Sequence, residues 1–236
     1  MLKNINKQFE NEDLQKCTMD FMNITQKYDY SKNIEWLGIQ AMQYPTDMFA
    51  LQDILWETKP ECVIATGVAK GGTLLFLSTI MSVYEEKPLI IGIDPTVTDV
   101  DEQNIYSHKM GKGIRILKYS SIDSMATNIA TEIIARENKK RIMVFLDSVH
   151  NTDYVCKEIS TWQQFVTPGC YLIVGWTIID ECVESLYEKR AWGKQNNPLK
   201  AVEWFLSSHD SFEKNEFYQK KYLTMTTGKG FLKRIK

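Results

Sequence analysis

The stretch PECVIATGVAKGGTLLF, residues 60–76, decides the fold. Its first part, CVIAT at 62–66, is a short apolar run with β-branched residues, which is typical of a parallel strand buried on both faces. A glycine-rich turn follows at 67–72, and the apolar segment 73–85 after it is long enough to predict a helix. The stretch therefore predicts a strand, a tight turn and a helix, which is the unit from which α/β sheets are built.

The same alternation of strand and helix continues on both sides of this stretch. Further apolar runs predict four more strands, LIIGID (89–94), IRILKY (114–119), RIMVFLD (141–147) and CYLIVGW (170–176). Predicted helices lie before, between and after them, at residues 48–58, 122–138, 152–165 and 199–207. A sheet whose strands alternate with helices buries both faces, which predicts a doubly wound, mostly parallel α/β sheet of the Rossmann-like type.

The end of the chain departs from simple alternation. The runs KYLTMTT (221–227) and FLKRI (231–235) flank a Gly-Lys-Gly turn, and this pattern predicts a C-terminal antiparallel hairpin. Parallel strands that finish in an antiparallel pair are the arrangement of class I methyltransferases, which bind S-adenosylmethionine. We therefore expect that arrangement rather than a plain nucleotide-binding Rossmann domain.

Composition bounds the domain organisation and the class of protein. Residues 1–35 are polar with scattered apolar positions, which predicts an N-terminal helical arm beside a Rossmann-like domain of residues 36–236. The net charge of −2, from 28 Lys and Arg against 30 Asp and Glu, argues against a nucleic-acid binder. Five cysteines without a CxxC pair, a polar N-terminus and no apolar stretch near the ~20 residues of a membrane span predict a cytoplasmic location.

The glycine-rich turn is the first candidate ligand site. Glycine permits a sharp turn and the close approach of a ligand, and the start of a helix offers unpaired N–H groups. The candidate binding residues in this turn are Thr66, Gly67, Lys70, Gly71 and Gly72. Their TGxxxGG spacing matches neither GxGxxG nor a Walker loop, so a turn needed only for close packing remains the alternative.

Polar residues also follow the other predicted strands. Asp94 ends the second strand ~20 residues beyond the glycine turn, where an acidic side chain accepts hydrogen bonds from ribose hydroxyls or merely caps a turn. Ser120 and Ser121 follow the third strand and either cap the next helix or contact the cofactor. Asp147 ends the fourth strand in the ligand-binding crevice, and His150 is a candidate base whose alternative is a structural role.

The order of these motifs resembles a known family. The segments that carry the resemblance are WLGIQAMQYPTD (36–47), residues 60–76, IIGIDP (90–95), SHK (107–109), YSSID (119–123), FLDSVH (145–150), VTPGCYLIV (166–174) and TTGKGFLKR (226–234). Spread over about residues 34–235, they resemble the cephalosporin hydroxylase (CmcI-like) and rhamnosyl O-methyltransferase family. The resemblance implies a class I methyltransferase fold, S-adenosylmethionine as cofactor, a divalent metal, usually magnesium, and a homo-oligomer.

The metal position departs from the family pattern. The resemblance implies a carboxylate matched by Asp147 and a Glu-Asp pair after the fifth strand, where this chain has Gly175-Trp176. The family also carries an acidic residue where Ala65 stands. Asp180-Glu181 is an alternative source of ligands, although it more naturally begins the next helix. The sequence therefore assigns no metal ligand, and magnesium is doubtful because it requires several oxygen ligands.

These observations predict an S-adenosylmethionine-dependent O-methyltransferase acting on a hydroxyl of a sugar or a glycosylated small molecule. In this interpretation the glycine turn holds the methionine part of the cofactor and Asp94 holds its ribose. Asp147 and His150 face the acceptor oxygen as catalytic residues, and without a metal His150 serves as general base. The alternative is a catalytically impaired binding or assembly module with a methyltransferase fold, in which Trp176 fills part of the vacated metal position. An NAD-dependent oxidoreductase fits the glycine spacing less well.

Overall fold

A seven-stranded sheet lies at the centre of the computed structural model, which describes residues 1–236. The strands in chain order are β1 (Glu35–Trp36), β2 (Ile39–Gln40), β3 (Cys62–Thr66), β4 (Leu89–Ile93), β5 (Ile114–Leu117), β6 (Ile142–Leu146), β7 (Tyr171–Val174), β8 (Phe212–Lys214) and β9 (Phe231–Arg234). β1 and β2 pair only with each other, and the other seven have the spatial order β5-β4-β3-β6-β7-β9-β8. β3 to β7 run parallel, whereas β9 is antiparallel to both β7 and β8. The predicted Rossmann-like methyltransferase sheet is confirmed.

Nine α-helices accompany the sheet. They are α1 (Leu2–Phe9), α2 (Glu12–Gln26), α3 (Pro45–Thr58), α4 (Gly72–Met81), α5 (Asp99–Ser107), α6 (Ser124–Arg136), α7 (Thr152–Trp162), α8 (Pro198–Ser208) and α9 (Phe217–Tyr222). Successive residues of a strand point to opposite faces, so Val63 of β3 packs with α3 and α4 while its neighbour Ile64 packs with α6, α7 and α8. Because both faces are covered, every residue of β3, β4 and β6 is buried.

The predicted C-terminal hairpin is wrong in its first strand. Residues 217–222 form α9, residues 223–230 form irregular turns, and β9 pairs instead with β7 and β8. The backbone N–H groups of Thr226 and Thr227 donate to the buried carboxylate of Asp47, at 2.8 and 2.9 Å. These groups are therefore not available to a strand ladder, and the three-residue β8 takes the place beside β9.

The other predicted helices are confirmed, with shifts at their ends. α3 begins at Pro45, where the missing N–H of proline is tolerated in the first turn. α6 begins at Ser124 because the side chain of Asp123 accepts a hydrogen bond from the backbone N–H of Met125 at 2.8 Å. α7 ends at Trp162, and residues 163–165 continue as a 3₁₀ turn.

The predicted helices of the arm are also present. Met22 of α2 is fully buried in a cluster with Tyr44 and Ile178, and the side chain of Gln8 in α1 donates to two backbone carbonyls of α9 at 2.7 and 3.0 Å. The arm thus packs against the segment that follows β7 and against the C-terminal region, while the boundary at residue 35 stays a prediction. None of the helices combines the length and the apolar character that crossing a membrane requires.

Candidate functional site

The carboxyl ends of the central strands bring the candidate residues to one edge of the sheet. In the strand register Thr66 is level with Ile93 and Leu146, and Leu146 is level with Val174. The next residue of each strand is therefore a neighbour in space, which places Gly67, Asp94, Asp147 and Gly175 side by side. This edge is where open α/β sheets bind ligands.

The glycines of the turn are required by the packing of the chain itself. Gly67 has φ +80°, and a Cβ there would overlap the backbone carbonyl of Asp147. Gly71 has φ +91° and lies against the side chain of Ile105 in α5, while a Cβ on Gly72 would overlap backbone carbonyls of β2. Close packing therefore accounts for these three glycines without a ligand.

Asp94 holds the glycine turn in place. Its Oδ2 accepts hydrogen bonds from the backbone N–H groups of Val68 and Ala69, at 3.0 and 3.1 Å. Its Oδ1 accepts from the backbone N–H and the hydroxyl of Thr96, at 2.8 and 2.6 Å. A carboxylate offers about four lone-pair sites, so all of them are in use. The carboxylate lies beside the turn, as expected, and it also performs the capping role that was the alternative.

Lys70 and the two serines are likewise engaged with the protein. Lys70 Nζ lies 3.1 Å from both carboxylate oxygens of Asp101, which ties α5 to the glycine turn. The hydroxyls of Ser120 and Ser121 lie 2.9 and 3.0 Å from the phenol oxygen of Tyr154 in α7. Asp123 rather than either serine caps α6, so the helix-cap interpretation of the serines is wrong.

Asp147 is the most unusual carboxylate at this edge. Its Oδ2 accepts a hydrogen bond from Gln43 Nε2 at 2.5 Å, whereas its Oδ1 is buried and has no hydrogen-bond partner. Burial raises the pKa of Asp147 well above its ordinary value, and the hydrogen bond from Gln43 opposes that shift. A Cβ on Gly175 would lie 2.6 Å from Oδ1, so the glycine is what allows the carboxyl group its position.

His150 lies between two tryptophans. Its ring centroid is 5.3 Å from that of Trp176, in a tilted arrangement, and 5.2 Å from that of Trp192, edge to face. Burial, assisted by the nearby positive charge of Arg190, lowers the pKa of His150 to about 4. The imidazole is therefore uncharged at neutral pH, and no hydrogen bond links it to Asp147.

A cavity of about 300 Å³ opens beside His150, between the arm and the segment that follows β7. The residues lining it are Gln26, Asp29, Tyr30, Ser31, Lys32, Met42, Tyr44, His150, Trp176, Leu186, Tyr187, Arg190 and Trp192. Trp176 has φ +57°, a left-handed backbone conformation that is uncommon for a bulky residue. His108 is not among the lining residues; its Nδ1 accepts a hydrogen bond from the backbone N–H of Met110 at 3.1 Å.

The residues at this edge do not fit the metal that the family implies. Gly175 and Trp176 supply no oxygen ligand from their side chains, and no group of three or more His, Cys, Asp or Glu side chains is placed to hold an ion. Asp180 accepts a hydrogen bond from Asn197 at 2.9 Å and pairs with Lys200 at 3.4 Å, while Glu181 pairs with Lys229 at 2.8 Å. The idea that Asp180-Glu181 replaces the missing ligands is therefore wrong for this structure.

Three polar residues of the site were not predicted from the sequence. Gln43 and Asp47 both lie in the quoted stretch 36–47, but nothing in that stretch shows that one contacts Asp147 and the other holds residues 226 and 227. Glu158 in α7 is almost fully buried and accepts a hydrogen bond from the hydroxyl of Ser148 at 2.6 Å. A charged residue on the inward face of a predicted helix was the available signal.

Comparisons with known proteins agree with this architecture. A family profile described as Rhamnosyl O-methyltransferase/CmcI matches residues 28–235. A rhamnosyl O-methyltransferase of Mycobacterium leprae is 30% identical over 141 residues, which are 59% of this chain and 58% of that protein. The protein of the same name from Mycobacterium tuberculosis H37Rv is 26% identical over 152 residues, 61% of this chain and 59% of the relative. The match thus spans less than two thirds of these relatives.

Solved structures share the fold. An apo structure of CmcI has a TM-score of 0.58 at 18% identity and covers 87% of this chain and 77% of its own. A CmcI structure with magnesium and S-adenosylmethionine has a TM-score of 0.56 at 18% identity, with coverage of 87% and 78%. The crystal structure of a putative O-methyltransferase from Klebsiella pneumoniae has a TM-score of 0.52 at 10% identity, with coverage of 84% and 81%. At these identities the similarity shows the architecture alone.

Proposed function

Because the chain belongs to the rhamnosyl O-methyltransferase/CmcI family, we propose that it is an S-adenosylmethionine-dependent O-methyltransferase acting on a hydroxyl of a sugar or of a glycosylated small molecule. Curated relatives named rhamnosyl O-methyltransferase support the sugar as acceptor. The observation that carries the proposal is the meeting of the glycine turn, Asp94 and Asp147 at one edge of the sheet, beside a cavity lined by His150.

The residues at the edge fit the cofactor. Asp94 is anchored to the glycine turn by two backbone hydrogen bonds, so its carboxylate is oriented before any ligand arrives. A ribose hydroxyl would take the lone pair that the hydroxyl of Thr96 now occupies. Thr66, Gly67, Lys70, Gly71, Gly72, Ser120, Ser121 and Asp147 are the further residues assigned to this side of the site. When bound, S-adenosylmethionine supplies a methyl group on a sulfonium centre that is open to in-line displacement.

Methyl transfer to a hydroxyl also requires that a proton leave the acceptor oxygen. His150 is the group we assign to receive it, because its imidazole lines the cavity and is uncharged at neutral pH. We also assign Asp147 to the acceptor hydroxyl, because its Oδ1 has no hydrogen-bond partner; that oxygen is buried and does not line the cavity, so the assignment requires the carboxyl group to turn when the acceptor binds. Gln43 is a positioning residue, since its amide fixes the other carboxyl oxygen.

Calorimetric titration with S-adenosylmethionine tests the proposal. We expect the wild-type protein to bind it with a Kd on the order of micromolar, and Asp94→Asn to weaken binding by about tenfold or more, because the variant loses negative charge where ribose hydroxyls donate. Asp210→Asn is a matched control, since Asp210 is an exposed carboxylate paired only with Lys236. Absence of binding heat from the wild-type protein would overturn the proposal.

The second candidate is a binding or assembly module without catalysis, favoured by the loss of carboxylates at Gly175 and Trp176. Restoring them with Gly175→Glu and Trp176→Asp distinguishes the two functions. If the double variant gains magnesium-dependent methyl transfer that the wild-type protein lacks, the module is the correct interpretation. Turnover by the wild-type protein with a defined sugar acceptor excludes it. A side chain at 175 requires Asp147 to move, because the Cβ alone would lie 2.6 Å from Oδ1.

The proposal also includes an oligomeric state and a cellular location. The resemblance to the family implies a homo-oligomer, which the mass measured by light scattering after gel filtration tests. A cytoplasmic location is supported by five free cysteines, three of them buried, because reduced thiols persist in reducing compartments. Fluorescence microscopy of a tagged chain in its own cell tests the location.

A further inference from the structure

The walls of the cavity beside His150 come from two distant parts of the chain. The phenol of Tyr187 donates to Gln26 Oε1 at 2.5 Å, and the amide of Gln26 donates to Cys182 Sγ at 3.1 Å. On the same side, the phenol oxygen of Tyr44 lies 2.9 Å from the hydroxyl of Thr25 in α2. The arm is therefore a wall of the cavity, locked to the segment after β7 by hydrogen bonds.

The inner surface of the cavity combines aromatic faces with polar edges. Trp176, His150 and Trp192 form one continuous aromatic surface, and Tyr30 packs on Tyr44 with ring centroids 5.1 Å apart. At the rim of the cavity, the arm adds the amide of Gln26, the hydroxyl of Ser31 and the carboxylate of Asp29. A sugar ring has the matching chemistry, since its C–H face is apolar and its hydroxyls lie around the edge. A volume of about 300 Å³ suits one ring rather than an extended ligand.

The charges around the cavity do not cancel. The carboxylate of Asp29 is paired with Lys32 at 3.0 Å. Arg190 makes no salt bridge; its guanidinium stacks over Trp192 at 5.5 Å from the ring centroid. His150 is uncharged at neutral pH. One guanidinium thus remains without a counter-ion at the rim, and its planar fork of donors matches phosphate and carboxylate oxygens.

We propose that this cavity is the acceptor site and that its ligand is a single sugar ring carrying an anionic group, with the ring against Trp176 and Trp192 and the anion at Arg190. This inference rests on the proposed function and names its acceptor class. It also assigns a role to Trp176, which stands where the family pattern has a carboxylate: its side chain forms a wall for the acceptor. The arm acts as a specificity element because it closes the opposite wall.

Binding of three sugar probes tests the inference, with rhamnose 1-phosphate, a nucleoside-diphosphate rhamnose and the neutral methyl rhamnoside titrated into the full chain. We expect at least one phosphorylated probe to bind about tenfold or more tightly than the neutral one. Arg190→Gln should remove that preference and Lys189→Gln should keep it. Lys189 is the matched control because it is the adjacent cation and does not line the cavity. Trp192→Ala should weaken all probes.

Three outcomes would overturn the inference: equal affinity for charged and neutral probes, equal losses in Arg190→Gln and Lys189→Gln, or unchanged affinity in Trp192→Ala. Preference between the two phosphorylated probes distinguishes a sugar phosphate from a sugar nucleotide. Titration of the wild-type protein with S-adenosylmethionine, made separately, reports on the proposed function. Sugar binding with the expected variant effects but without cofactor binding would leave the pocket assignment standing and remove the methyltransferase proposal.

Discussion

At the scale of single residues, the site depends on carboxyl groups that the fold keeps away from water. Asp147 accepts a hydrogen bond from Gln43 at Oδ2, while its Oδ1 lies beside Gly175 without a hydrogen-bond partner. Glu158 lies beneath the same edge, in contact with Ser148. Burying a carboxylate costs free energy unless the group is hydrogen-bonded or takes up a proton. Both groups therefore make the stability of the protein depend on pH.

Glu158→Gln should reveal this dependence. Burial raises the pKa of Glu158 above its ordinary value of 4.5, so the native state binds its proton more tightly than the unfolded state does. The stability of the wild-type protein should then fall, relative to the variant, as pH rises from 4.5 towards the raised pKa. Urea unfolding at several pH values measures the difference. A free-energy difference that stays constant between pH 4.5 and 8 would contradict the assignment.

The metal position yields a second prediction at this scale. Since Gly175 and Trp176 provide no oxygen ligand and Asp147 is already bonded to Gln43, we expect no Mn²⁺ site tighter than about millimolar. Electron paramagnetic resonance of Mn²⁺ titrated into the protein measures the bound fraction without any enzymatic assay. Stoichiometric binding that Asp147→Asn abolishes and Asp210→Asn retains would show that a metal site exists after all.

At the scale of elements, apolar runs bounded by glycine and proline were sufficient to predict the central sheet, because each strand and helix is specified by residues within it. The hairpin prediction failed because the alternation in 221–227 is compatible with a strand, whereas Asp47, far away in the chain, binds the N–H groups of Thr226 and Thr227. The strand β8 was missed because three residues carry almost no periodicity. A local sequence pattern does not show that a side chain from another element will take the backbone N–H groups that a strand would need.

The glycine turn allows a controlled test of close packing. Gly67 and Gly169 both have positive φ, +80° and +86°, but only Gly67 faces a carbonyl, while the space around Gly169 is open. Gly169→Ala should cost about 1–2 kcal/mol in the free energy of unfolding, the strain of a left-handed alanine. Gly67→Ala should cost several-fold more, because the edge of the sheet must also move. Similar losses in the two variants, measured by urea unfolding, would show that the contact with Asp147 is unimportant.

At the scale of the whole molecule, the sequence predicted where the site lies, but it did not predict the cavity or the side-chain contacts within the site. The residues after β3, β4 and β6 reach one edge by topology alone, so Gly67, Asp94 and Asp147 were predictable as neighbours. The cavity was not, because residues 26–32 of the arm meet residues 186–192 only in the folded chain. The hydrogen bonds that Asp94 accepts from the glycine turn were not predictable either, because they form only once β3 and β4 lie side by side.

If the carboxyl edge around Asp94 binds an adenosyl cofactor, the amide chemical shifts of the residues around Asp94 should report it. S-adenosylhomocysteine titrated into ¹⁵N-labelled protein should perturb the amide signals of Val68, Ala69 and Thr96, the three N–H groups that donate to Asp94. We expect these signals to shift progressively to saturation, with smaller changes around Ser120 and Ser121. Unchanged signals at all three amides under saturating ligand would show that no adenosyl cofactor binds at this edge.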